Sequence, residues 1–321
     1  MKVAFITGIN WQDWAYLSNF LLSKWYKVIW LLRSPSSNID NLRYFDIQDK
    51  ISFIYGDLSD KSIIESTIIR YAPDEIYNLW GLTSPGESWN AIDEYVDVNV
   101  HSITNILEVI RNYSPKTKLF QASTSEMFGS SHKKWLQTED VPFHPTNPYA
   151  VTKLFGYWMA NIFKEAYHLH ISNWILFNHE SPLRNLKFVT RKISNWVAQI
   201  KLWLSDHIVL GNLDAKRDWW FAWDYVEAMW LILQQKTPDN YILSTGETHT
   251  IREFLDIAFK CIGIHDRTPY VQIDSKFNRP IDLPSLYWKN DKAKEILWWN
   301  PNVKFEQLVE MMVNEDIRRL S

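Results

Sequence analysis

Six short apolar runs separated by segments of helical spacing constrain this chain more than any other feature. Residues 2–7, 27–32, 51–55, 75–79, 118–122 and 172–177 read as strands. Residues 13–24 read as a helix carrying Ala15, Leu17, Phe20, Leu21 and Leu22, and further helices fill 61–70, 98–111 and 149–166. Strands that alternate with helices must pair in parallel, because each helix carries the chain back across the sheet. The expected fold is therefore α/β, a doubly wound parallel sheet whose ligand lies at the carboxyl ends of its strands. Beyond residue 178 the alternation loosens into helical patterns at 188–204, 251–262 and 305–319, joined by polar loops. This predicts a ligand-binding domain over 1–178. Residues 179–321 would be mainly a smaller, discontinuous α/β substrate lobe, with some segments returning to the sheet.

Composition removes several classes of function. A net charge of −3 offers no basic surface for nucleic acid or membrane. No run approaches the roughly 18 apolar residues of a membrane span. The apolar start is too short for a signal peptide. The single Cys261 allows no internal disulfide, so a cytoplasmic enzyme is expected. No metal-ligand pattern is visible.

The first strand runs into Gly8-Ile9-Asn10-Trp11-Gln12-Asp13-Trp14. A dinucleotide turn needs glycine here, for positive φ and for close approach of the pyrophosphate to the helix N-terminus. Gly8, Trp11 and Trp14 keep the three-residue spacing of such a turn, but two of the positions carry indoles. Arg33 directly follows the second strand. A cation there accommodates a ribose 2′-phosphate, which favours NADP over NAD. Asp57 and Leu58 follow the third strand, where an adenine-contacting carboxylate belongs. Asp57 can equally serve a helix start, since Ser59 and Asp60 come next.

Tyr149 and Lys153 stand one helical turn apart, on one face. The lysine's charge favours the phenolate, so Tyr149 can exchange a proton with a sugar hydroxyl during hydride transfer. Some 25 residues earlier, at a strand end, Ser123-Thr124-Ser125-Glu126 supplies a hydroxyl for the reacting oxygen and a carboxylate that can act as general base.

STSEMFG (123–129), NPYAVTK (147–153), NHESP (178–182), FVTRKI (188–193) and GNLDAKRDW (211–219) together resemble the GDP-mannose 4,6-dehydratases, within the extended short-chain dehydrogenases. The resemblance implies a Rossmann fold and an NADP-dependent dehydration of GDP-mannose. It implies catalytic roles for Thr124, Glu126, Tyr149 and Lys153. It implies cofactor contacts from Gly8, Ile9, Asn10, Trp11, Gln12, Asp13, Arg33, Asp57, Leu58, Leu79, Gly81, Thr83, Lys153, His179 and Arg184. Ser84, Asn178, Lys192, Arg217 and Arg279 would hold the GDP-sugar, the arginines as pyrophosphate clamps. A homodimer built on a helical bundle, or a homotetramer, is expected. Two other readings use the same residues: a nucleotide-sugar epimerase or ketoreductase, and a catalytically silent nucleotide-binding homologue.

The chain has 18 Trp and only 9 Gly. Trp11, Trp14, Trp25, Trp30, Trp174, Trp203, Trp220 and Trp298 stand where the family carries glycine, and Trp80, Trp135, Trp196, Trp223 and Trp288 join them. Returning these thirteen to glycine restores the usual level of about 7%. Some bacteria read UGA as glycine where other code tables read tryptophan, so recoded UGA codons are expected at these positions; the alternative reading is deliberate redesign or a decayed, inactive homologue.

Overall fold

The computed structural model describes residues 1–8, 12–129, 138–277 and 290–321. The expected cofactor residues Ile9, Asn10 and Trp11, the expected clamp Arg279, and Trp135 and Trp288 lie outside the described residues.

Seven parallel strands form the central sheet: β1 (Val3–Thr7), β2 (Lys27–Leu32), β3 (Ser52–Tyr55), β4 (Glu75–Asn78), β5 (Lys118–Thr124), β6 (Ile171–Leu176) and β11 (Tyr241–Leu243). Their spatial order is β3-β2-β1-β4-β5-β6-β11. The order reverses beside β1, the topological switch point of a doubly wound sheet. Six of these strands fall within two residues of their expected bounds at either end. The seventh, β11, pairs with β6 through Tyr241–Trp174 and Leu243–Leu176.

Two apolar layers cover the sheet. On one side α1 (Gln12–Ser23) and α7 (Ala222–Gln234) bury Leu17, Phe20, Leu21, Tyr225, Met229 and Leu233 against β1, β2 and β6. On the other, α2 (Lys61–Tyr71) and α4 (Ser102–Tyr113) bury Ile64, Ile68, Ile103, Ile106 and Leu107. Each such side chain contributes about 1.5–3 kcal/mol on burial. The helix expected at 98–111 begins earlier, as α3 (Ile92–Val96), and passes through a widened turn at Asp97–His101 before α4. Helix α5 (Pro148–Tyr167) packs on β5 and β6. Its start is set by Asn147, whose side chain accepts from the Ala150 amide at 2.8 Å, and by Pro148 in the first turn.

A third core joins α6 (Val189–Lys201), α8 (Ile251–Cys261) and α10 (Phe305–Leu320) through Ile193, Val197, Phe254, Phe259, Leu308 and Met312. The buried Arg191–Asp316 ion pair ties α6 to α10. Short strands form two-stranded ladders apart from the seven-stranded sheet. Of these, β7 (Asn178–Glu180) pairs with β10 (Trp219–Phe221), and β9 (Lys216–Arg217) pairs with β12 (His249–Thr250). Among the described residues no helix is long and apolar enough to cross a membrane.

Three helix ends carry tryptophan in the left-handed region: Trp25 (φ 64°), Trp203 (φ 61°) and Trp298 (φ 56°). All three indoles lie in solvent, at 84%, 94% and 90% exposure. After α1 the Trp25 amide donates to Leu22 O and the Tyr26 amide to Leu21 O; after α6 Trp203 and Leu204 repeat the pattern. Helix α8 closes with the same pair of bonds, Gly263 to Lys260 O and Ile264 to Phe259 O, around a glycine at φ 80°. This C-terminal cap favours glycine because a Cβ crowds the left-handed backbone.

Candidate active site

The carboxyl ends of β1, β4 and β5 and the start of α5 converge on one buried centre. Thr124 ends β5 and its hydroxyl accepts from the Glu126 amide at 3.3 Å. Asn147 Nδ2 donates to Glu126 Oε2 at 3.1 Å, fixing the carboxylate against the start of α5. Tyr149 packs edge-on against Tyr95, with ring centroids 6.3 Å apart, and hydrogen-bonds Thr124. Thr124, Glu126 and Tyr149 thus lie together.

Burial raises the Tyr149 phenol well above its ordinary pKa, and the Glu126 charge adds to the rise; the Thr124 hydrogen bond and the Arg184 charge oppose it. Lys153, one turn along α5, is also buried, and burial lowers its ammonium to about 8. Its Nζ faces the carbonyls of Trp80 and Ala122, each at 3.4 Å. Burial therefore governs both groups and favours the neutral phenol.

Gly81 follows β4 at φ 149°, and a Cβ there would stand 2.6 Å from Asn99 Oδ1 and 3.1 Å from Lys153 Nζ. Asn99, on the widened turn before α4, accepts from the Leu82 amide at 2.9 Å and donates to Thr152 Oγ1 at 3.0 Å. Thr152 in turn donates to Tyr149 O at 2.9 Å. Asn99 thus holds the 81–83 loop against α5. The sequence reading missed it; the signal was a lone amide among Val96, Val98 and Val100. Ser84 is engaged by Tyr95, whose hydroxyl donates to Ser84 O at 2.7 Å.

A second cluster surrounds the start of α1. Gln12 donates to His179 O and accepts from Ser181 Oγ, both at 2.6 Å. His179 Nε2 lies 2.8 Å from Asp13 Oδ2, and its ring stacks on Tyr225 at 4.7 Å. Burial works against the charged imidazole, but the Asp13 carboxylate outweighs it and raises the pKa. Glu180 is buried between Thr190 Oγ1 at 2.7 Å and Arg184 Nε at 3.2 Å, and Arg184 covers the Phe188 ring at 3.6 Å. These contacts bind Asn178–Glu180 (β7), the NHESP segment, to the expected dinucleotide turn.

At the outer strands Arg33 Nε lies 3.4 Å from Asp57 Oδ2, and its guanidinium stands 5.2 Å from the Trp80 ring centroid. Leu58 and Leu79 are buried nearby, at the ends of β3 and β4. Asp57 accepts from the Ser59 amide and hydroxyl, both at 2.9 Å, while Asp60 caps α2. Of the expected sugar-binding residues, Asn178 starts β7, Lys192 on α6 donates to Val209 O at 2.9 Å, and Arg217 ends β9.

A nicotinamide dinucleotide suits the inner half of this site. Lys153 is buried with its Nζ beside the carbonyls of Trp80 and Ala122, and the hydroxyls of Thr83 and Ser123 are buried without partners among the described residues. Each could meet a ribose or carboxamide. The outer half differs, since the Trp14 indole overlaps the space a Cβ on Gly8 would take and the Trp80 indole is buried in the same apolar layer as Leu31 and Leu58.

The family described as GDP-mannose 4,6 dehydratase matches residues 5–312. GDP-mannose 4,6 dehydratase 1 of Arabidopsis thaliana is 43% identical over 98% of this chain and 90% of its own length. The human GDP-mannose 4,6 dehydratase is 39% identical, over 98% and 91%. Among solved structures, UDP-glucose 4-epimerase of Thermus thermophilus in complex with NAD superposes with a TM-score of 0.84 at 22% identity, covering 98% of both chains. RMD of Pseudomonas aeruginosa complexed with NADPH gives 0.82 at 17%, covering 99% and 100%. At these identities the solved structures speak for the fold alone.

Proposed function

The chain belongs to the GDP-mannose 4,6-dehydratase family, and from that premise we propose how its own residues carry out the reaction. It is a nucleotide-sugar dehydratase that converts GDP-mannose to GDP-4-keto-6-deoxy-mannose and water. The observation that carries this reading is the convergence of Thr124, Glu126, Tyr149 and Lys153 within a family match over residues 5–312. The cofactor is NADP, chosen over NAD by Arg33, and it would lend a hydride acceptor that returns the hydride later in the same turnover.

Tyr149 Oη takes the proton of the C4 hydroxyl, leaving a C4 ketone. Because burial holds this phenol high, it acts as base only once cationic charge gathers beside it, and Lys153 and Arg184 supply that charge. Thr124 holds the reacting oxygen through its hydroxyl. The ketone acidifies the C5 proton, which Glu126 removes; the same carboxyl then protonates the C6 hydroxyl as it leaves as water. The carboxylate is ready for this role because Asn147 fixes one of its oxygens. Lys153 also holds the nicotinamide ribose, with Gly8, Ile9, Asn10, Trp11, Gln12, Asp13, Asp57, Leu58, Leu79, Gly81, Thr83, His179 and Arg184 completing the cofactor cleft. Ser84, Asn178, Lys192, Arg217 and Arg279 hold the GDP-sugar.

Residues 1–178 serve as the cofactor domain and 179–321 mainly as the sugar lobe, with α7 and β11 returned to the sheet. The protein acts as a homodimer or homotetramer. In support, Val151, Phe155, Trp158 and Ile162 form an exposed apolar stripe along α5, beside exposed Ile92 and Val96 on α3. Its place is the cytoplasm, in keeping with a single cysteine.

The division of labour is tested in single-turnover mixtures with GDP-mannose. Glu126→Gln is expected to complete the first hydride transfer and accumulate bound NADPH without product, read by absorbance. Tyr149→Phe is expected to form none. Equal accumulation in both variants, or in neither, would overturn the assignment.

A further inference from the structure

Trp80 stands two residues past the end of β4, at the carboxyl edge of the sheet, among the residues assigned to the adenosine half of the cofactor. Its indole is 3% exposed and belongs to the apolar layer that also holds Leu31, Leu58, Ile103 and Leu107. The Arg33 guanidinium covers its face at 5.2 Å and is itself steadied by Asp57 at 3.4 Å. The indole N–H is buried and has no hydrogen-bond partner among the described residues. Trp220 donates to Asp224 Oδ2 at 2.9 Å and Trp299 to Asp224 O at 2.8 Å. Trp14, Trp30 and Trp174 also bury an indole N–H without a partner among the described residues, but of these four Trp80 is the one with a guanidinium over its ring.

Indole and purine are both flat fused bicycles. Each is held by apolar side chains and by a guanidinium stacked on the ring. They differ at the edge, where a purine carries several polar atoms and an indole one donor. A site shaped for a purine therefore satisfies the faces of an indole and leaves its N–H orphaned, which is the state of Trp80. A side chain that merely filled the core would not need a charged group stacked on it at the sheet edge.

We propose that Trp80 occupies the adenine subsite of its own cofactor cleft, so that the dinucleotide binds only after the indole has swung out. This rests on the assignment of that cleft to NADP. A chain with glycine at position 80 has the subsite open, and Arg33 is then free to serve the base and the 2′-phosphate together.

Calorimetric titration of the full-length protein tests the proposal with three probes: NADP, adenosine 2′,5′-bisphosphate and nicotinamide mononucleotide. Trp80→Gly is expected to bind the first two at least roughly ten-fold more tightly than the parent, with the mononucleotide unchanged within about two-fold. Trp80→Leu, which keeps an apolar filler, is expected to fall between them, and it carries the test if the glycine variant does not fold. In the parent, saturating adenosine 2′,5′-bisphosphate is expected to move tryptophan emission to longer wavelength as a buried indole enters water. Trp203→Gly, at a remote exposed indole, is expected to change neither binding nor the emission shift. Equal affinity of parent and Trp80 variants for NADP would overturn the proposal and leave the cofactor assignment standing. Folded variants that bind neither NADP nor NAD would overturn both.

Discussion

Replacing Trp25, Trp203 and Trp298 by glycine should stabilise the protein. All three hold left-handed backbone, at φ 64°, 61° and 56°, and all three indoles are at least 84% exposed. An L-residue in this region gives up about 1–2 kcal/mol through its Cβ. Glycine returns about 0.5–1 kcal/mol of that, because its unfolded chain has more freedom to lose. The side chains offset little by packing, since they lie in water. The net gain is about 0.5–1 kcal/mol per site. The sites close three different helices, so the effects should add to about 1.5–3 kcal/mol. With an unfolding entropy of about 2.1 cal/mol/K per residue, a chain of this length should melt about 2–4 °C higher. Thermal unfolding of parent and triple variant, followed by far-ultraviolet circular dichroism, reads this directly. Trp219→Gly is the contrast: this indole is buried and stacked on Phe305 at 6.3 Å, so its removal should cost about 3–5 kcal/mol. A triple variant melting at or below the parent would refute the reasoning. UGA codons at these positions, with glycine in peptides of the native protein, would show why indoles stand at glycine caps; UGG codons would end that explanation.

Arg33→Asp should shift the ratio of NADP to NAD affinities toward NAD by about ten- to a hundred-fold, the size of a lost charge-assisted bond of about 1.5–3 kcal/mol; an unchanged ratio removes Arg33 from the 2′-phosphate site. The His179–Asp13 contact should carry a pH signature. Since its folded pKa is raised, the pair stabilises fully below the unfolded value of about 6.5 and fades as pH rises through the folded value. The melting-temperature deficit of His179→Gln should therefore be largest near pH 6 and shrink toward pH 8; a deficit that is constant or grows contradicts the pairing.

Much of this architecture was legible because it follows from local spacing. The first six strands are apolar runs ended by turns, and Tyr149 and Lys153 share a face simply by helical periodicity. What escaped reading depends on tertiary surroundings. Helix α7 buries Ala222, Tyr225, Val226, Met229 and Leu233 between α1 and the sheet, so it has no clear polar face to mark it. Strand β11 is only three residues long and gains its identity by pairing with β6. The site divides in the same way. The spacing of Thr124, Glu126, Tyr149 and Lys153 marked them as the proposed catalytic set. Asn99 acts through the Leu82 backbone and Thr152, partners that no spacing reveals. The high phenol of Tyr149 comes from burial, which a sequence pattern does not weigh.

The central claim is a dehydration with internal return of hydride, and an isotope experiment tests it most directly. GDP-mannose carrying deuterium at C4 is incubated with the protein and NADP, without external reductant, and the product is examined by mass spectrometry and proton NMR. The account predicts a sugar nucleotide lighter by one water, a ketone at C4 and the deuterium at C6. Loss of the deuterium to solvent or free cofactor, or an epimerised sugar that has lost no water, would contradict it.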